Sequence, residues 1–115
     1  MVFAKKTKTN NIYGDVYTSK VDSYTHGTTY DIVVSKQFLH PTDRVLIIDD
    51  FLAKGSALNA LISLVKDAGA TVVGAGIVIE KAYQPGGKLI RDMGVRVESL
   101  ARIASMSVED GIRFC

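Results

Sequence analysis

VLIIDDFLAKGSA, residues 45–57, joins a buried-strand pattern to two adjacent carboxylates and a small-residue loop that opens into a helix. Four consecutive apolar residues, Val45 to Ile48, predict a strand covered on both faces. Asp49 and Asp50 then fall where the strands of open α/β sheets present ligand groups. Gly55 lets the backbone approach a ligand closely, and Ser56 is placed to cap the apolar helix that follows. Unpaired N–H groups at a helix start favour an anion. The pattern suits a sugar phosphate, because carboxylates accept hydrogen bonds from a vicinal diol while amides donate to the phosphate. The plainer alternative is two aspartates solvating a strand end and a serine capping a helix.

Outward from this stretch the chain alternates. Ser56 to Ala68 carries Ala57, Leu58, Leu61, Ile62, Leu64 and Val65 at helical spacing, and Gly69 ends the helix. Thr71 to Ile79, TVVGAGIVI, predicts a second buried strand that runs out into Glu80 and Lys81. Its Gly74 and Gly76 sit inside the strand, which indicates close helix packing or backbone approach and not a dinucleotide-binding fingerprint. A turn at Gln84 to Gly86, a short helix to about Met93 and a strand from Arg96 to Leu100 follow. Strand, helix, strand, helix, strand implies right-handed crossovers and a parallel sheet. Upstream, Tyr13 to Ser19 and Thr28 to Ser35 are rich in Tyr, Val, Thr and Ile and predict an antiparallel pair, with His26 and Gly27 in the connection. Val2 to Ala4 reads as a piece of buried strand, and the polar run Lys5 to Asn11 as a mobile loop.

The 115 residues bound one domain with one core, of α/β class. Hydrophobic residues make up 47% and charged residues 23%, which excludes intrinsic disorder. A net charge of +2, concentrated in Lys5, Lys6 and Lys8, is too small and too local to argue for nucleic acid. One cysteine, Cys115, excludes an intramolecular disulfide and a metal-thiolate site and fits a reducing compartment. No apolar run is long enough to cross a bilayer, and MVFAKKTK lacks a signal-peptide apolar region. These features together place the protein in the cytoplasm, away from membranes and nucleic acid.

VLIIDDFLAKGSA resembles the phosphoribosyl-pyrophosphate signature of the type I phosphoribosyltransferases. GIVIEKAYQPGG and VRVESLARI are similar to the corresponding stretches of the bacterial xanthine phosphoribosyltransferases, a purine-salvage family. The resemblance covers nearly the whole chain. It implies a mostly parallel sheet flanked by helices with an inserted antiparallel hood hairpin. By it, Ala53, Lys54, Gly55, Ser56 and Ala57 match the loop for the 5′-phosphate, and Asp49 and Asp50 match the acidic pair facing the ribose. Lys54 departs from the small polar residue often seen in this loop, and Ser56 stands where some relatives have glutamine, but the donors are mainly backbone. Lys81 matches the lysine that contacts the purine base, where an ammonium can donate to an exocyclic carbonyl oxygen; an exposed lysine at a strand end is the alternative. Lys5, Lys6 and Lys8 match the basic segment leading into the hood, against the alternative of a solvated charge run. Tyr83 is assigned to packing beside Pro85 in preference to base stacking. His26, His40, Arg44 and Arg102 receive no role.

The implied reaction transfers 5-phosphoribosyl from phosphoribosyl pyrophosphate to N9 of xanthine, giving xanthosine 5′-monophosphate and pyrophosphate. Mg²⁺ accompanies the pyrophosphate, no residue is assigned as a metal ligand, and a homodimer is expected. The family's N-terminal helix, first strand and pyrophosphate loop have no counterpart here, so the reading expects a truncated domain whose catalysis is in doubt. Two alternatives stand beside it. One is a purine-sensing regulator that binds the sugar phosphate without catalysis. The other is a response-regulator receiver domain, against which the position of the acidic pair and the absence of a later phosphoacceptor aspartate argue.

Overall fold

The loop that follows Asp49 and Asp50 can be a ligand site only if a rigid sheet holds both of its ends. The computed structural model describes residues 2–7, 16–23 and 28–115. The start of the first predicted strand at Tyr13, Lys8, His26 and Gly27 lie outside the described residues. Described in chain order, the elements are β1 (Lys5–Thr7), β2 (Val16–Ser23), β3 (Thr28–Ser35), β4 (Arg44–Leu52), α1 (Ser56–Asp67), β5 (Thr71–Lys81), α2 (Gly86–Asp92), β6 (Val97–Ser107) and β7 (Gly111–Phe114).

They form two sheets. β1, β3 and β2 lie side by side in that order, antiparallel throughout, with Lys5 opposite Val33 and Val16 opposite Ser35. β4, β5 and β6 are parallel neighbours, and β7 adds antiparallel to β6. The expected parallel sheet and hood hairpin are therefore both present, as the type I phosphoribosyltransferase fold requires.

Helix α1 is the joint between the sheets. Its 3.6-residue pattern buries Leu58, Ile62, Leu64 and Val65, and it lies against β2 on one side and β4 and β5 on the other. One core results, running from Val21, Ile32 and Val34 through the helix to Ile47, Ala75 and Ile77. The helix stops as expected. Gly69 N–H donates to Lys66 O at 2.9 Å and Ala70 N–H to Val65 O at 3.2 Å, the two reversed bonds that close a helix C-terminus.

Three local expectations are corrected. Val2 to Ala4 is not strand and not buried, Phe3 being 74% exposed; isolated apolar residues do not bury without a partner surface. Lys5 to Thr7 is strand β1 and not loop, because β3 offers it a second edge of backbone donors and acceptors. β6 runs on to Ser107 and turns back as β7, with Asp110 N–H donating to Ser107 Oγ at 2.9 Å in the turn. Of the two expectations for Gly74 and Gly76, backbone approach holds at Gly74, where a Cβ would meet Arg96 O at 3.2 Å, while at Gly76 a Cβ would meet Ile48 Cδ1 of the neighbouring strand at 2.9 Å.

Val45 to Ile48 was expected to be covered on both faces, yet Leu46 and Ile48 are exposed, with Val78 and Leu100 on the same sheet face. Both crossover helices of a right-handed β4–α1–β5–α2–β6 run fall on one side, which leaves the other open. A cavity of about 690 Å³ runs along β4, with Phe3, Ile32, Leu46 and Ile48 on its wall and Asp49 and Asp50 at one end.

Ile62 is fully buried at the centre of α1. Ile62→Ala is expected to lower unfolding free energy by about 2–5 kcal/mol, read by urea denaturation; a loss below about 1 kcal/mol would show that α1 does not carry the core.

Candidate functional site

Strand β4 does not end at the acidic pair, as expected, but continues through it to Leu52. The extension exists because β5 also runs on, so that Phe51 pairs with Ile79 and Leu52 with Glu80. Each carboxylate then takes a backbone donor on its own strand: Asp50 N–H donates to Asp49 Oδ1 at 2.9 Å, and Phe51 N–H to Asp50 Oδ1 at 2.8 Å. Asp49 is half-buried and Asp50 exposed.

The loop after β4 turns on one residue. Gly55 sits at φ +87°, where a side chain is strained, and it is the helix N-cap in place of the expected Ser56. Ser56 is displaced to the first helical position, and no side chain caps the helix. Asn59 N–H makes the first helical bond, to Gly55 O at 2.8 Å, so the amides of Ser56, Ala57 and Leu58 have no intrahelical acceptor. No acidic residue occupies the first turn. The result is a helix mouth with donors and a positive dipole end, which favours an anion.

Helix α2 forms the floor beneath this loop. Gly86 N–H donates to Ala53 O at 2.8 Å, and a Cβ on Gly86 would overlap Ala53 O and stand 2.6 Å from Gly55 N. Only glycine allows the two backbones to meet this closely.

At the same end of the sheet a buried charge gathers α2 and β6. The alternation of inward and outward residues changes phase in both central strands at one level: Asp50 and Phe51 are successively exposed before buried Leu52, and Val78 and Ile79 precede buried Glu80. Glu80, 1% exposed, thereby faces α2. Arg91 donates to both its oxygens at 2.8 Å, Nη1 to Oε2 and Nη2 to Oε1, and Ser99 Oγ donates to Oε1 at 2.7 Å. Arg102 Nε stands 3.5 Å from Oε1. The Arg91 hydrogen bond, with those of Ser99 and the charges of both arginines, outweighs burial and holds the Glu80 carboxyl down at about 2. The Arg91 guanidinium is raised in turn by the same hydrogen bond.

The structure brings Asp49, Asp50 and the loop from Ala53 to Ala57 to one end of β4, and Lys81 to the neighbouring end of β5. Lys81 Nζ lies 5.9 Å from the centroid of the Phe51 ring, an aromatic neighbour the sequence reading did not single out. The Tyr83 hydroxyl donates to Met106 Sδ at 3.3 Å. Lys5 belongs to the other sheet, in β1. Lys6 contributes backbone to β1, and its side chain lies outside the described residues. Glu80, Arg91, Ser99 and the Gly86–Gly87 pair were missed by the sequence reading, and Arg102 was left without a role. The available signal was an acidic residue ending an otherwise apolar strand.

Comparison with known proteins gives the family and the fold. The family model of the phosphoribosyl transferase domain matches residues 3–104. The chain belongs to the phosphoribosyltransferase family. Xanthine phosphoribosyltransferase of Lachnoclostridium phytofermentans is 60% identical over 111 residues, which is 96% of this chain and 57% of that protein. Xanthine phosphoribosyltransferase of Brevibacillus brevis is 55% identical over 113 residues, covering 98% and 57%. The chain thus spans a little over half the length of these curated relatives. Among solved structures, the adenine phosphoribosyltransferase of Giardia lamblia complexed with 9-deazaadenine superposes with a TM-score of 0.73 at 29% identity, over 87% of this chain and 56% of that one. The Trypanosoma brucei enzyme, solved with AMP, pyrophosphate and ribose-5-phosphate, shares the fold with a TM-score of 0.77 at 23% identity, over 96% and 49%. Membership of this phosphoribosyltransferase family overturns the receiver-domain alternative. Among the described residues no helix is long and apolar enough to cross a membrane.

Two outcomes follow from the loop after β4 and its floor. Gly86→Ala is expected to destabilise the fold by about 1–3 kcal/mol, the range for overpacking, measured by urea denaturation; an unchanged midpoint would contradict the backbone contact. A carboxyl whose folded pKa lies below its unfolded value stabilises above the unfolded pKa and loses that contribution as pH falls through the folded one. The stability difference between the native chain and Glu80→Gln is therefore expected to be full at pH 6 and to shrink from about pH 4.5 towards pH 2. A difference independent of pH in paired denaturation curves would refute the ionised assignment.

Proposed function

We propose that this chain is a single phosphoribosyltransferase domain that binds Mg²⁺-bound phosphoribosyl pyrophosphate and transfers its ribosyl phosphate to N9 of xanthine in purine salvage. The observation that carries the proposal is the uncapped helix mouth after Gly55, set directly beyond an acidic pair on a parallel strand. High identity to two xanthine phosphoribosyltransferases supports the choice of base.

In this reading the amides from Ala53 to Ala57 hold the 5′-monophosphate, and Asp49 and Asp50 accept hydrogen bonds from the ribose hydroxyls. The bond from C1′ to the pyrophosphate oxygen breaks, the bond from N9 to C1′ forms, and the N9 proton passes to the departing pyrophosphate or to water. Positive charge develops on the sugar as the leaving group departs, and the two carboxylates oppose it. The carboxylates are hard oxygen donors at the place where the sugar would lie, and such donors suit a Mg²⁺ ion whose other oxygens come from phosphates and water. When bound, that ion neutralises charge on the pyrophosphate. Lys81 donates to a carbonyl oxygen of the base, beside the Phe51 ring. Lys5 and Lys6 are assigned to the hood side of the pyrophosphate.

A homodimer is the assembly proposed, because Leu46, Ile48, Val78 and Leu100 form an exposed apolar face that a second subunit can cover. The cytoplasm is the proposed location, in keeping with the single cysteine. Binding without transfer is the second reading, favoured by the open cavity along β4 next to the acidic pair.

The test is incubation with labelled phosphoribosyl pyrophosphate, xanthine and Mg²⁺, with the product resolved by chromatography. Labelled xanthosine 5′-monophosphate is expected, and Asp49→Asn combined with Asp50→Asn is expected to reduce it by at least about 100-fold. Binding of ribose 5-phosphate with no nucleotide formed would select the second reading. Undiminished binding of the sugar phosphate by the double variant would remove the acidic pair from the site.

A further inference from the structure

We infer that Glu80 is a positioning residue for the loop at Ala53 to Ala57, acting through Arg91 and helix α2. The ligand this loop holds rests on the reading given under Proposed function. The mechanical link does not.

The chain of contacts is short. Glu80 sits on β5 and receives both arms of the Arg91 guanidinium, from the last turn of α2. A Cβ on Gly87 would overlap Glu80 Oε2, so the first turn of α2 also rests on the carboxylate. Gly86, one residue earlier, donates to Ala53 O and lies against the Gly55 backbone. One carboxylate therefore touches both turns of the helix on which the loop rests. Ser99 and Arg102 on β6 bind the same Oε1, and Arg91 Nη2 reaches Val97 O at 3.3 Å. These bonds fix the carboxylate to the sheet.

Stability alone gives no reason for this arrangement. A buried ion pair is often matched or exceeded by apolar residues of similar volume. What the pair adds is direction, because a planar fork on a carboxylate fixes rotation as well as distance. Donors that must converge on a phosphate need placement to within about 0.5 Å. A helix of seven residues has little packing of its own with which to supply that precision.

The experiment compares the native chain, Glu80→Gln, Arg91→Lys and the apolar pair Glu80→Leu with Arg91→Met. Amide ¹H–¹⁵N shifts of residues 53–57 are recorded without ligand, ribose 5-phosphate binding is measured by calorimetry, and stability by thermal unfolding. Loop amides are expected to shift or broaden in Glu80→Gln while those of β2 stay in place, and the dissociation constant for ribose 5-phosphate is expected to rise about tenfold. Arg91→Lys is expected to fall between. The apolar pair is expected to recover thermal stability without recovering binding, which a purely structural role would not produce. Unmoved loop amides in Glu80→Gln, or an apolar pair that binds as well as the native chain, would overturn the inference. Shifted loop amides with no affinity for ribose 5-phosphate in the native chain would support the link and overturn the ligand assignment instead.

Discussion

Burial of α1 against two sheets at once is the interaction on which the molecule depends. The antiparallel strands β1 to β3 and the parallel strands β4 to β6 share no ladder. What holds them in one body is a single apolar stripe, Leu58, Ile62, Leu64 and Val65, with Val21, Ile32 and Val34 packed into the same core as Ile47, Ala75 and Ile77. Apolar area removed from water drives this association, and it is largely indifferent to direction. Direction comes from hydrogen bonds: the ladders set strand order, and Gly55 sets the angle at which the helix leaves the sheet.

The end of the sheet that carries the candidate site is built on a second, polar layer of organisation. A glycine turn displaces Ser56 from the capping position and leaves the helix mouth without a side-chain acceptor. Glycine in place of a side-chain cap costs an ordinary helix only about a few tenths of a kcal/mol. The helix tolerates it because its stability lies in the buried stripe and not in its ends. Core packing and site chemistry are in this way assigned to different parts of one twelve-residue element.

The central strands, both helices and the hood hairpin were legible in the sequence because each rests on periodicity or a run of apolar residues, and those signals are local. The placing of Asp49, Asp50 and the loop to Ala57 between β4 and α1 was legible for the same reason: the stretch is contiguous. Three features were not. The continuation of β4 through Asp49 to Leu52 depends on β5 running equally far, which is a property of the pair. Strand β7 and the return at Asp110–Gly111 carried a turn signal in the dipeptide, but four exposed residues offer no pattern of burial to read. The convergence of Glu80, Arg91, Ser99 and Arg102 joins positions up to 22 apart, and only the register that sets Glu80 against Arg102 brings them together.

That cluster has a surplus. One carboxylate meets two guanidinium groups, and Arg102 keeps about half of its side chain in solvent. The outcome is a group of charges that is fully hydrogen-bonded at its centre yet cationic by one unit, with Lys81 adjoining it. Charge fixed at the rim of a low-dielectric sheet spreads its field outward, and salt screens it only beyond roughly 8 Å at physiological ionic strength. The bond network that rigidifies this end of the protein thus also sets a fixed positive charge across from the negative pair Asp49 and Asp50, so that the field there is divided between two signs within one sheet end.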